Sequence, residues 1–127
     1  MVRLDMEGDG IVHLHLGPPH AESDEAAYFA ALETIGALTG AYVMVVDISG
    51  HFHLSRDGEI RQAQWAKATR AQVSSCCRAL ALVRDKPNPR SQQSFARLWQ
   101  IPVHVTSDLG EAMEFARTHL CQERPQA

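Results

Sequence analysis

The run Tyr42-Val43-Met44-Val45-Val46-Asp47-Ile48-Ser49-Gly50 constrains the fold more than any other part of the chain. Tyr42 to Val46 are apolar or aromatic without alternation. A strand with one wet face alternates, so this run predicts a strand covered by helices on both faces, in the middle of a parallel sheet. It ends in an acid, a serine and a glycine. Such carboxyl ends are where α/β proteins place chemistry or recognition.

The flanking segments supply the rest of such a sheet. Val2 to Met6 reads as a short strand, Glu7-Gly8-Asp9-Gly10 as a glycine-supplied turn, and Ile11 to Leu16 as a second strand, together an antiparallel hairpin. In the second strand Val12, Leu14 and Leu16 share one face and Ile11, His13 and His15 the other. Ser23 is the expected N-cap of a first helix carrying Tyr28, Phe29, Leu32, Ile35 and Leu38, which Gly40 ends. After the central strand, Ser55 or Asp57 caps a helix from about Gly58 to Val73, whose modest apolar face includes Ile60, Ala63 and Val73, with Arg56 in the loop before it. Cys77 to Val83 is a second buried strand. A proline-broken loop, Arg84 to Arg90, leads to a helix capped by Ser91 and bearing Phe95, Leu98 and Trp99. Pro102 to Thr106 is the last strand. Ser107 or Asp108 caps the last helix, with Leu109, Ala112, Met113, Ala116 and Leu120 facing inward. The order β-β-α-β-α-β-α-β-α predicts an α/β fold with a five-stranded mixed sheet.

A chain of 127 residues with 45% apolar composition suits one domain and one core, here 1–121, followed by a loose tail over 122–127. The net charge of −3 is mixed in sign along the chain, which points away from nucleic acid and from stable membrane association. No segment approaches a transmembrane span, and the start does not read as a signal peptide. Three cysteines, with Cys76 and Cys77 adjacent and no C-x-x-C pair, fit free thiols in a reducing compartment. A cytoplasmic protein is expected.

No complete catalytic set accompanies the central strand. Asp47 could suggest a phosphoacceptor, but acids early in the chain to hold magnesium are lacking, since Asp5 and Asp9 belong to the hairpin. It reads as a structural group for the loop around Gly50. Ser49 has no base beside it in sequence. His13 and His15 alternate, as do His51 and His53, so each pair shares a face of an extended segment. Two imidazoles begin a metal site, yet a third or fourth ligand is needed and no H-E-x-x-H spacing supplies one. No metal and no cofactor are therefore expected. His51 and His53, beside the strand end, are the better surface histidines. Trp99 reads as core, and Trp65, on a weakly apolar helix, as an interface anchor.

The strand order, with Asp47-Ile48-Ser49-Gly50 and, without a gap, Ser55-Arg56-Asp57-Gly58, resembles the STAS domain of bacterial anti-sigma-factor antagonists. That family has Asp-Leu-Ser-Gly at the first place and Asp-Ser-Ser-Gly at the second. The pattern Pro102, Asp108, Glu111, Ala112 is similar to that of small bacterial STAS-like proteins related to CRAL-TRIO lipid-exchange domains. The resemblance covers nearly the whole chain as topology and some twelve residues as motif. It implies a regulatory or scaffolding module that binds another protein. Arg56 stands where the family's phosphorylated serine would be. A guanidinium cannot accept a phosphoryl group on oxygen, which implies an interaction without the phosphoserine switch. The expected recognition face is Ser49, His51, His53, Ser55, Arg56 and Asp57, with Trp65 as a second contact that could serve a homodimer, and Asp47, Gly50 and Gly58 shaping the loop. The alternative is a small-molecule or lipid-binding domain with an apolar cavity framed by Phe52, Leu54, Phe95 and Trp99.

Overall fold

A computed structural model describes residues 1–7, 10–18, 22–38, 40–49, 55–84 and 101–121. The strands are β1 (Val2–Glu7), β2 (Ile11–Leu16), β3 (Tyr42–Ile48), β4 (Cys77–Arg84) and β5 (Val103–Thr106). They form one sheet in the order β1-β2-β3-β4-β5. β1 and β2 are antiparallel, and β2, β3, β4 and β5 run parallel. The helices among the described residues are α1 (Asp24–Gly36), α2 (Arg56–Ala68), α3 (Arg70–Cys76) and α4 (Leu109–Cys121). The fold is thus the α/β, five-stranded mixed sheet that the sequence predicts, with β3 at its centre. The helix expected from Ser91 and the tail over 122–127 lie outside the described residues. No described helix is long and apolar enough to cross a membrane.

Strand periodicity splits the core into two layers. Val12, Tyr42, Met44 and Leu80 point to one face, where Ile35 of α1, Ala66 of α2 and Val73 of α3 cover them. Ile11, Val43, Val45, Ala79, Ala81 and Val83 point to the other, where Ala112 and Ala116 of α4 lie against them. Two alanines without measurable exposure let α4 approach the sheet closely. Tyr42 to Val45 are buried as expected, whereas Val46, Asp47 and Ile48 are only half-buried. Among the described residues, helical cover thins toward the carboxyl end of β3.

Several local expectations are corrected by tertiary contacts. Ser23 stands at the N-cap of α1 but keeps an α-like backbone, and its hydroxyl makes no capping hydrogen bond. α1 stops at Gly36, not at Gly40, and Gln72 Nε2 holds the chain there, donating to Ile35 O in the last turn at 3.1 Å and to Leu38 O past the helix end at 2.7 Å. Such foreign amides satisfy the carbonyl groups that a helix end leaves open. The single helix expected to run to Val73 breaks at Thr69. Its hydroxyl donates to Trp65 O at 2.7 Å, the back-bonding that bends helices. Ile60 is 52% exposed and Leu109 38% exposed, so neither faces inward. Gly10 does sit at a positive φ of 93°, as its place in the hairpin turn requires.

Cys76 ends α3 and Cys77 opens β4, both as free thiols. Burial pushes the Cys77 thiol up to about 12, even though hydrogen bonds from the backbone pull the other way. The unfolded chain loses this proton near 9, so between the two values unfolding releases a proton and stability falls as pH rises. The slope for one group is about 1.4 kcal/mol per pH unit. The thermal midpoint is expected to drop above pH 9, less steeply in Cys77→Ala. Equal slopes for the two proteins would contradict this.

Candidate functional site

Two groups of polar side chains stand at the edge of the core, one at the start of α2 and one on the sheet face that α4 leaves open.

At the start of α2, Ser55 has an extended backbone and its hydroxyl accepts from the Gly58 amide at 3.0 Å, a helix N-cap. Ser55 is itself held from outside. Its amide donates to Glu25 Oε1 at 2.7 Å and its hydroxyl to Glu25 Oε2 at 3.0 Å. Glu25 belongs to α1, so one carboxylate ties the two helix starts together. Gly58 is buried beneath it, where any Cβ would overlap that carboxylate. The sequence does not single out Glu25. Its role depends on a contact thirty residues away in sequence.

Arg56 is the first residue of α2 and not part of a preceding loop. Arg56, Ile60, Ala63 and Lys67 recur at helical spacing and are all exposed, forming one outward stripe. Trp65 lies nine positions after Arg56; at about 100° per residue that is half a turn away. It is half-buried and packs on the core, and its indole Nε1 donates to Leu32 O at 3.0 Å. The residue read as an exposed anchor is a strut between α1 and α2. Arg61, on the flank, lies 4.4 Å from the centre of the Phe29 ring and 3.5 Å from Glu33, which adds a second tie to α1.

The second group arises from strand register. Antiparallel pairing sets Arg3 opposite His15 and Asp5 opposite His13. Parallel pairing sets Asp47 opposite His15. All five side chains therefore leave the same face of the sheet. Arg3 Nε is 2.9 Å from Asp5 Oδ2, His15 Nε2 is 3.8 Å from the same oxygen, and His15 Nδ1 is 3.4 Å from Asp47 Oδ2. The His13 and His15 rings lie against each other, with centroids 3.7 Å apart and planes tilted by 36°. His13 is buried, while His15 and Asp47 each keep about a quarter of their side chain exposed. The expectation that no third ligand accompanies His13 and His15 is thus corrected. β3 brings Asp47 to them, and ligand atoms of the three residues lie within 4.8 Å of one another. Same-face placement of the histidines was legible. The parallel register that adds Asp47 was not.

Ser49 is exposed beyond β3, and its amide donates to Leu16 O at 2.8 Å, which continues the ladder. Asp57 is exposed in the first turn of α2. Gly50, His51, Phe52, His53, Leu54, Phe95 and Trp99 lie outside the described residues. A cavity of about 120 Å³ is lined by Met6, Ile11, Val12, Leu38 and Tyr42 among others. Small-molecule pockets run from about 300 Å³ upward.

No protein-family model matches the chain, and no curated protein matches it in sequence. Among solved structures, it is similar to an enoyl-CoA hydratase/isomerase family protein from Silicibacter pomeroyi. The identity is 16% and the TM-score 0.39, over 66% of this chain and 41% of that one. A likeness this distant carries no argument about activity.

Proposed function

We propose that the protein is a cytoplasmic, non-catalytic interaction module of STAS-like type, regulatory or scaffolding in role, which binds another protein through the start and outer stripe of α2. The observation that carries this reading is the Glu25 clamp on Ser55. It fixes the helix start before any partner arrives, so little ordering entropy is left to lose on docking. From that fixed start the helix presents Arg56, a planar fork suited to a partner carboxylate, and one turn on Ile60, an apolar knob. Support also comes from the place of this element, directly after the carboxyl end of the central parallel strand. Ser55 is committed to Glu25 and Gly58, and Arg56 has no oxygen to phosphorylate, so the proposed interaction is not switched by phosphoserine.

Replacing Arg56 by Ala is expected to leave stability within about 0.5 kcal/mol, since the side chain is exposed. It should weaken a partner captured by the wild-type protein by tenfold or more, about 1.4 kcal/mol. Ile60→Ser should act in the same direction. Binding measured on the purified pair decides the matter. Undiminished affinity in both variants would reject α2 as the recognition face.

A further inference from the structure

The open-face cluster has a chemistry that the interaction reading does not use. Two imidazoles and a carboxylate converge where β2 and β3 end side by side. We propose that His13, His15 and Asp47 bind a divalent first-row transition ion, zinc in the first instance. This inference is independent of the role given to α2.

The donor set selects the class of ion. Neutral imidazole nitrogens favour zinc, nickel, copper and iron, whereas magnesium and calcium demand oxygen around them. Spacing agrees. Ligands about 2.0–2.1 Å from a tetrahedral ion stand roughly 3.3 Å from one another. The His15 Nδ1 to Asp47 Oδ2 distance of 3.4 Å already has that value. All three ligand atoms lie within 4.8 Å of one another, so the remaining ligand must close by at most about an ångström and a half, within reach of side-chain rotation.

The surroundings of His15 supply the outer layer that metal-bound histidines have. With Nδ1 on the ion, the proton sits on Nε2, which faces Asp5 Oδ2 at 3.8 Å. Asp5 is held in turn by Arg3 Nε at 2.9 Å. Closing that gap to hydrogen-bond distance on metal binding would let the carboxylate fix the tautomer, as carboxylates behind metal-bound imidazoles do. Charge also favours a cation, because Asp5 and Asp47 outnumber the single guanidinium of Arg3. Burial differs usefully among the ligands. His13 anchors the ion from the sheet, while partly exposed His15 and Asp47 leave an entry path and a position for water or an outside ligand. His104 and Glu111, 2.7 Å apart on β5 and α4, form another imidazole–carboxylate pair; the described residues add no third ligand there.

The test is titration of tag-free, metal-stripped protein with zinc chloride by calorimetry, and with cobalt(II), whose visible absorption reports nitrogen and oxygen ligands. One ion per chain is expected. His15→Gln and Asp47→Asn should each weaken zinc at least tenfold, and His104→Gln should bind as wild type does. Zinc should raise the thermal midpoint of the wild-type protein and not that of Asp47→Asn. Cobalt should broaden the ring resonances of His13 and His15 in the unmutated protein, a readout that needs no variant to fold. Absence of zinc binding, wild-type affinity in Asp47→Asn and His15→Gln, loss of binding in His104→Gln, or broadening confined to other histidines would each overturn the proposal.

Discussion

Val45→Asp is expected to leave the chain without a cooperative unfolding transition at neutral pH. Val45 has no measurable exposure and sits in the central strand, paired with His13 on one side and Ala81 on the other. Its side chain lies in the layer that Ala112 and Ala116 of α4 close. Apart from the His13 imidazole on the neighbouring strand, the side chains around it in that layer are apolar and offer a charge no partner. A carboxylate buried there either ionises at a cost of several kcal/mol, which one buried imidazole does not offset, or stays protonated through a large pKa shift, which costs stability as well. Domains of this size are stable by only about 5–15 kcal/mol in total. Urea denaturation followed by circular dichroism decides it, with Val45→Ala as a variant that leaves a cavity but no charge. A folded Val45→Asp with the wild-type urea midpoint would remove β3 from the centre of the core.

Trp65→Ala should have the next largest effect, about 3 kcal/mol or more of lost stability. The indole fills the seam between α1 and α2 and donates to Leu32 O, and Thr69 and Gly36 crowd beside it. Truncation removes the packing and leaves the seam open. Trp65→Phe keeps one ring but loses the donor and part of the packing, so it should fall between the wild-type protein and Trp65→Ala. The same pair of variants separates a structural tryptophan from a docking one. A seam residue shifts the urea midpoint of the isolated protein, whereas an interface residue shifts only partner affinity. An unchanged midpoint in Trp65→Ala would return the side chain to the recognition surface.

The Trp65 outcome shows what kind of information a linear reading lacks. Its neighbours in sequence, Gln64 and Lys67, are polar, so the helix looks weakly apolar and the indole looks exposed. Its burial comes from α1, about thirty residues earlier, through Leu32 and the close approach at Gly36. Ile60 errs in the opposite direction. It falls in the apolar rhythm of α2, but it shares the outward stripe of Arg56, Ala63 and Lys67 and is 52% exposed.

Hydrophobic periodicity and turn chemistry were enough for the strands. An unbroken apolar run can be satisfied only by cover on both faces, so β3 and β4 were legible as buried parallel strands, and the two glycine-rich turn positions made β1 and β2 a hairpin. These are local properties, carried by the side chains of a single segment. Helix ends were less legible, because they depend on which groups satisfy the terminal amides and carbonyls. Ser55 caps α2 as its residue type suggests, but Ser23 does not cap α1, and the end of α1 is held by Gln72 from α3. The two polar groupings lay further out of reach. Glu25 meets Ser55, and Asp47 meets His15, only once strands and helices are in register. Sequence determined that His13 and His15 share a face, since alternation along a strand is intrinsic to its backbone. Only the tertiary structure decided that Asp47 joins them, because register between parallel strands is fixed by the crossover and core packing and is written in no single segment.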